Sequence, residues 1–107
     1  MRKPSLDKCI QQVLSQIVAI SRPEQVILFG SAAVPRARSA NDLDFLVVIP
    51  DTRRTARVLD RLNVGVRGKP MPCDFLVATV SQLKQYSRIQ GTIYHEILTH
   101  GREVYAA

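Results

Sequence analysis

The chain has no tryptophan, only two cysteines and two histidines, and no apolar run near the length of a membrane span. Each scarcity closes off a class of function. A transmembrane helix needs about 20 consecutive apolar residues, and the opening MRKPSLDKC lacks the apolar stretch of a secretory signal. Cys9 and Cys73 offer neither a disulfide framework nor a metal-ligand spacing. Both lie in apolar segments and are expected to be buried thiols, consistent with a reducing, cytoplasmic setting. His95 and His100 have no partners at ligand spacing, so structural roles are expected. With no tryptophan and no aromatics interleaved with basic residues, single-strand binding by base stacking is disfavoured, and no helix-turn-helix pattern is evident. Internal repeats, low-complexity tracts and linkers are also missing, and 107 residues make one domain, residues 1–107.

Acidic residues are in the minority, nine Asp and Glu against fifteen Lys and Arg, for a net charge of +6. Such a surface favours acidic partners, whether nucleotides, nucleic acid or an acidic protein. It is also what a merely soluble basic domain would carry. Hydrophobic residues make up 46% of the chain, enough for a real core.

The stretch that organises the rest is Ile27 to Val48, ILFGSAAVPRARSANDLDFLVV. It reads as an apolar strand, a Gly-Ser turn, a polar connection and a second strand. Side chains alternate along a strand, so Asp42 and Asp44 point to one face, with Cα atoms roughly 6.5 Å apart. Leu43 and Phe45 point the other way, into a core. Two carboxylates on one face repel each other and resist burial. A divalent cation removes that conflict, and Mg²⁺ fits best, since it is commonly held by one or two carboxylates plus substrate phosphates. Gly30 lets a ligand approach the main chain. A helix starting at Ser31-Ala32-Ala33 would aim free N–H groups at the same mouth. Phosphate donors and carboxylates then converge on a nucleoside triphosphate with its Mg²⁺.

Gly30-Ser31, ten intervening residues and Asp42-Leu43-Asp44 resemble the nucleotidyltransferase signature of the polymerase β superfamily. The compact frame resembles the minimal nucleotidyltransferase (MNT) group. Cys73-Asp74-Phe75-Leu76-Val77 is similar to the family's later strand with its third carboxylate. Ile97 to Tyr105, ILTHGREVY, is similar to its closing helix, Gly and short strand. The likeness runs from about Val26 onward. One departure stands out: where the family often has a small-basic-Gly run, this chain has Ala33, Val34 and Pro35. The resemblance implies an α/β (α+β) fold, a small mixed sheet flanked by helices. It also implies that Asp42, Asp44 and Asp74 bind metal and carry the catalysis, while Gly30 and Ser31 hold the phosphates of ATP.

The remaining elements read from periodicity. Ser5 to Ile20 is a helix with Leu6, Ile10, Val13, Leu14, Ile17 and Val18 on one face and Ser5 as N-cap. Strands are expected at 26–29, 42–49 and 73–79, the first two adjacent. Asp51 or Thr52 is expected to cap a helix running to about Val64. That helix carries Arg53, Arg54, Arg57 and Arg61 in a stripe; such a stripe is ordinarily the wet side of an amphipathic helix. The connection 65–72, GVRGKPMP, is expected to be irregular or mobile, with Lys69 in it. Pro35 to Asn41 reads as an exposed polar loop. The alternative for Asp74 is a strand-end acid in solvent just after Pro72; with Asp42 and Asp44 already in place, the third carboxylate is the favoured reading. Helices are expected over 80–86 and 90–99, with His100-Gly101 as a C-terminal cap and Val104-Tyr105 as an edge strand.

Three functions follow. The first is a Mg²⁺-dependent nucleotidyltransferase. Large relatives carry extra acceptor-binding domains that 107 residues do not accommodate. MNT proteins are commonly paired with a separate all-helical HEPN toxin, as antitoxins, and some transfer AMP from ATP onto it. The resemblance thus implies a HEPN-like partner encoded nearby. The second is a non-catalytic MNT-fold module that neutralises a partner by binding alone, against which three converging acids argue. The third is a basic domain that binds nucleic acid through Arg53, Arg54, Arg57 and Arg61.

Overall fold

The computed structural model describes residues 4–107. Helix α1 spans Leu6–Ser21 and begins as expected, with the Ser5 hydroxyl accepting from the Lys8 amide at 3.2 Å. Its apolar side, Leu6, Ile10, Val13, Leu14 and Ile17, is buried. The helix stops at Arg22, whose backbone turns left-handed at φ 45° and whose amide donates to the Val18 carbonyl. Strand β1 (Gln25–Phe29) leads into a single 3-10 turn, Gly30–Ala33. Strand β2 (Leu43–Ile49), helix α2 (Thr55–Gly65) and strand β3 (Cys73–Thr79) form a strand–helix–strand crossover. Helices α3 (Val80–Ser87) and α4 (Ile93–His100) and strand β4 (Arg102–Ala106) complete the chain.

The sheet is mixed, in the order β3-β2-β1-β4. β1 runs antiparallel to β2 and to β4, and β2 runs parallel to β3. The expected adjacency of the first two strands and the expected edge strand near Tyr105 are both present. One sheet face carries Val26, Leu28, Leu43, Phe45, Val47 and Ile49 into a core with α1 and with Val58 and Leu62 of α2. The rings of Phe45 and Phe75 stack there across β2 and β3 at 6.2 Å. The other face carries Ile27, Leu46, Val48 and Ala78 against Leu83 of α3 and Ile97 of α4.

Four details depart from the sequence reading. Asp42 lies one residue before β2, not within it. The pairing with β3 starts at Leu43–Cys73, and Leu43 donates its amide to the Pro72 carbonyl at 2.9 Å; Pro72 has no N–H to extend the ladder. The residues after Gly30 make one 3-10 turn instead of a longer helix, ending where Val34 turns extended before Pro35, as a residue before proline tends to do. Helix α2 starts at Thr55 with Arg54 as its N-cap residue and no capping side chain. Asp51, expected to cap it, instead accepts from the amide (3.0 Å) and the hydroxyl of Ser81 and so caps α3. Helix α4 starts at Ile93, later than the expected 90, because Thr92 caps it by accepting from the His95 amide at 3.2 Å.

The connection after α2 is irregular, as expected, but it is tied to α1. Gln16 donates to the Arg67 carbonyl at 2.9 Å and accepts from the Arg67 amide at 2.8 Å. Gln12 donates to the Gly68 carbonyl at 2.7 Å. Cys9 is buried as expected, whereas Cys73 is only partly so. His95 bonds the Ser87 carbonyl through Nδ1 at 2.9 Å, a structural role.

Candidate active site

Two strand registers assemble the site. Parallel pairing sets Asp44 beside Asp74, and antiparallel pairing sets Phe29 beside Asp44. Gly30, the next residue, therefore comes down against Asp44. Alternation along the strands puts Asp44 and Asp74 on the α3–α4 face, the one opposite Phe45 and Phe75. Asp42, just outside β2, turns its carboxylate to the same point. One oxygen from each of Asp42, Asp44 and Asp74 lies within 4.8 Å of the others. Asp42 and Asp44 are half-buried and Asp74 is exposed. Asp74 is thus both the strand-end acid in solvent and the third member of the cluster.

Packing this tight makes glycine obligatory at position 30. Its φ is +75°, and a Cβ there would stand 2.4 Å from Oδ2 of Asp44. The backbone approaches the carboxylate more closely than any side chain allows. Ser31 is exposed beside it, while Ala32 and Ala33 are buried and anchor the turn.

The electrostatics are unbalanced. Burial pushes the Asp44 carboxyl above its ordinary value, and the charges of Asp42 and Asp74 and a side-chain hydrogen bond with Asp74 push it further. No protein cation relieves this: the only ion pair among the described residues is His100–Glu96, at 3.5 Å on α4. The oxygen-only donor set suits a hard cation such as Mg²⁺. Two oxygens on one Mg²⁺ at 2.0–2.1 Å stand at most about 4.2 Å apart, so small side-chain rotations bring the present set into range. Cys73 does not belong to the set. Burial pushes its thiol up, with Lys69 opposing and the three aspartates reinforcing, and its side chain sits on the other sheet face.

Beside Gly30 lies a groove of about 540 Å³ that sequence reasoning missed. Phe29, Val34 and Pro35 form one wall, and Ile93 and Ile97 of α4 the other. Val34 and Ile93 are 58% and 50% exposed. The sequence signal was the apolar Val34-Pro35 pair in an otherwise polar loop, but its partner wall lies about sixty residues away along the chain. The arginines of the 35–41 loop do not line the groove.

A small α/β domain with three converging carboxylates and a glycine turn at one end of its sheet is built for phosphoryl-group chemistry. The chain belongs to the nucleotidyltransferase domain family, whose model it matches over residues 8–98, within the polymerase β-like superfamily. Among curated proteins and solved structures, nothing matches the chain significantly. The family's general chemistry is nucleotidyl transfer from a nucleoside triphosphate with Mg²⁺. No helix among the described residues is long and apolar enough to cross a membrane.

Proposed function

We propose that this chain is a Mg²⁺-dependent adenylyltransferase of the minimal nucleotidyltransferase kind, moving AMP from ATP onto a protein partner. The observation that carries the reading is the meeting of Asp42, Asp44 and Asp74 within 4.8 Å, against a glycine turn. Asp42, Asp44 and Asp74 hold the metal, and bound Mg²⁺ supplies charge neutralisation for the triphosphate and for the oxygens that attack and leave. The exposed Asp74 accepts the proton of an acceptor hydroxyl. That hydroxyl oxygen bonds to the α-phosphorus, the bond to the bridging oxygen breaks, and pyrophosphate leaves. The Gly30 backbone and Ser31 hold the β- and γ-phosphates. Position and charge stabilisation supply most of the acceleration.

The partner reading rests on the resemblance to the MNT group, in which the acceptor is a HEPN toxin and the nucleotidyltransferase its antitoxin. The half-exposed apolar wall of Val34 and Ile93 beside Gly30 supports a protein acceptor, since protein interfaces are apolar at their centres. A second reading has its own observation. Val34 and Pro35 replace the basic residue and glycine often seen there in the family, and the turn ends before them. On that reading the chain neutralises the partner by binding alone.

The test is to incubate the protein, Mg²⁺ and α-labelled ATP with the product of the neighbouring gene and weigh that product. An added AMP that disappears with Asp42→Asn and Asp44→Asn supports adenylyl transfer. A tight complex of unchanged mass establishes the binding-only reading, and label found in RNA overturns the protein acceptor. Calorimetry with ATP and Mg²⁺ checks the site alone: equal affinity in wild type and Asp44→Asn, or none in either, refutes it.

A further inference from the structure

Across the sheet from the carboxylates, five arginines gather: Arg22 at the end of α1, Arg53 and Arg54 just before α2, and Arg57 and Arg61 on α2. Two adjoining open clefts run between them, of about 320 and 490 Å³, with Arg53 and Arg61 in the walls of both. The guanidiniums thus form one continuous surface.

An ordinary solvated helix face does not look like this. Arg57 and Arg61 stand one turn apart on α2, a like-charge pair that destabilises a helix, and Arg53 and Arg54 extend the cluster just before its first turn. None of the five makes an ion pair, although Asp60 is on the same helix. Arg53 is held in place, donating to the Ser21 and Arg22 carbonyls at the end of α1. It joins the two helices and brings Arg22 into the cluster. The other four are exposed, with their donor forks open.

We propose that this arginine face docks on the phosphate backbone of double-helical nucleic acid. Arg57 and Arg61 stand about 6 Å apart along α2 at 1.5 Å per residue, and Arg22, Arg53 and Arg54 widen the face. A duplex presents one negative charge per roughly 1.7 Å of axis, dense enough to offer every guanidinium of the face a phosphate. Guanidinium forks suit phosphate oxygens. No aromatic side chain lines either cleft, which removes the stacking platform a single strand would use. Among the large apolar side chains exposed in the described residues, only Val64 lies on α2, too little for the apolar centre of a protein interface. Binding here leaves the carboxylate end open, because α2 packs on the Phe45 face and the acids on the other.

The test is fluorescence anisotropy of a labelled mixed-sequence duplex titrated with the protein over a range of salt. Four engaged guanidiniums, Arg22, Arg54, Arg57 and Arg61, predict a log–log salt slope of about −3.6. Combining Arg54→Glu, Arg57→Glu and Arg61→Glu is expected to weaken binding roughly 100-fold at about 50 mM salt and flatten the slope by about 2.7. The control combines Lys84→Glu, Arg88→Glu and Arg102→Glu, which takes the net charge from +6 to zero equally but lies off this face. It is expected to retain binding within about threefold of wild type, by the local character of phosphate contacts. Should the triple glutamate variant fail to fold, Arg57→Gln alone is expected to flatten the slope by about 0.9. Equal losses in face and control variants would show net charge alone and overturn the proposal. So would absence of duplex binding, preference for a single strand, or displacement of the duplex by charge-matched polyglutamate, which would assign the face to an acidic protein.

Discussion

On β2, Leu43, Phe45, Val47 and Ile49 turn toward α1 and α2 and have no solvent exposure. Asp44, one residue from Leu43, turns the other way and stands half-exposed beside Asp42 and Asp74. A single strand thus serves two environments. On one face two helices cover the strand, and every inward position of β2 is apolar. On the other, α3 and α4 cover Leu46, Val48 and Ala78 but leave the end with the acids open. The closed face supplies the hydrophobic stabilisation. The open end is then free to hold like charges that no folding argument favours, and Asp44 shows the strain in its raised affinity for a proton. Residues that destabilise locally, on a scaffold stable elsewhere, mark a site and not a core.

Substitutions on the two faces should therefore behave in opposite ways. The largest effect is expected from Phe45→Ala on the closed face. It removes a fully buried ring stacked on Phe75 and should cost about 3–5 kcal/mol in urea unfolding. Gly30→Ala tests the boundary between face and site. With φ at +75° and Asp44 Oδ2 2.4 Å from the added carbon, it should cost about 1–3 kcal/mol and abolish Mg²⁺-ATP binding in calorimetry while the circular dichroism spectrum stays native. A loss of stability with undiminished ATP binding would separate Gly30 from the site.

Asp51→Ala should lower Tm by a few degrees, because it leaves the Ser81 amide uncapped. The hydrogen bonds from the Ser81 hydroxyl and amide hold the Asp51 carboxyl below its ordinary value. The stabilisation is present above that ordinary value and is lost as pH falls through the lowered folded value. Thermal melts of the variant should lack that acid-side loss. The smallest effect, and the one of opposite sign, is expected from Asp44→Asn in a metal-free buffer. The folded protein holds the Asp44 proton more tightly than the unfolded chain, so wild-type stability falls as pH rises from the ordinary value through the raised folded one. At neutral pH the variant should melt slightly higher than wild type. Added Mg²⁺ should then raise the wild-type Tm and leave the variant unmoved. A lower Tm for the metal-free variant would place Asp44 among the structural residues.

Much of this was legible along the chain because its signals are periodic and local. The 3.6-residue recurrence of Leu6, Ile10, Val13 and Ile17 marks α1, and Ser5 marks its start. Pro72 and the alternation from Cys73 to Thr79 mark β3 at both ends. Alternation also assigns Asp44 and Asp74 to the faces they occupy. The two misplaced helix starts share a cause, which is competition between equally suitable caps. Asp51 and Thr52 stand where a helix N-cap should be, yet Ser81 takes Asp51 from thirty residues away. Thr92 holds α4 through contacts back to Tyr86 and Ile89 that no local pattern announces.

By itself the sequence determined the elements, the face each strand residue takes and the residue types of the site. Backbone sterics and hydrophobic periodicity act over a few residues and are written locally. Only the tertiary structure decided the register of the strands and that β3 and β4 flank the β1–β2 pair, and hence that Gly30 abuts Asp44 and that Asp42, Asp44 and Asp74 meet within 4.8 Å. It also decided that Gln12 and Gln16 would tie down the glycine-rich connection, that Val34 would face Ile93 across a groove, and that Arg22 would join the arginines of α2. Those pairings join residues far apart in the chain, and their geometry exists only once the sheet has closed its register and the helices have packed onto it.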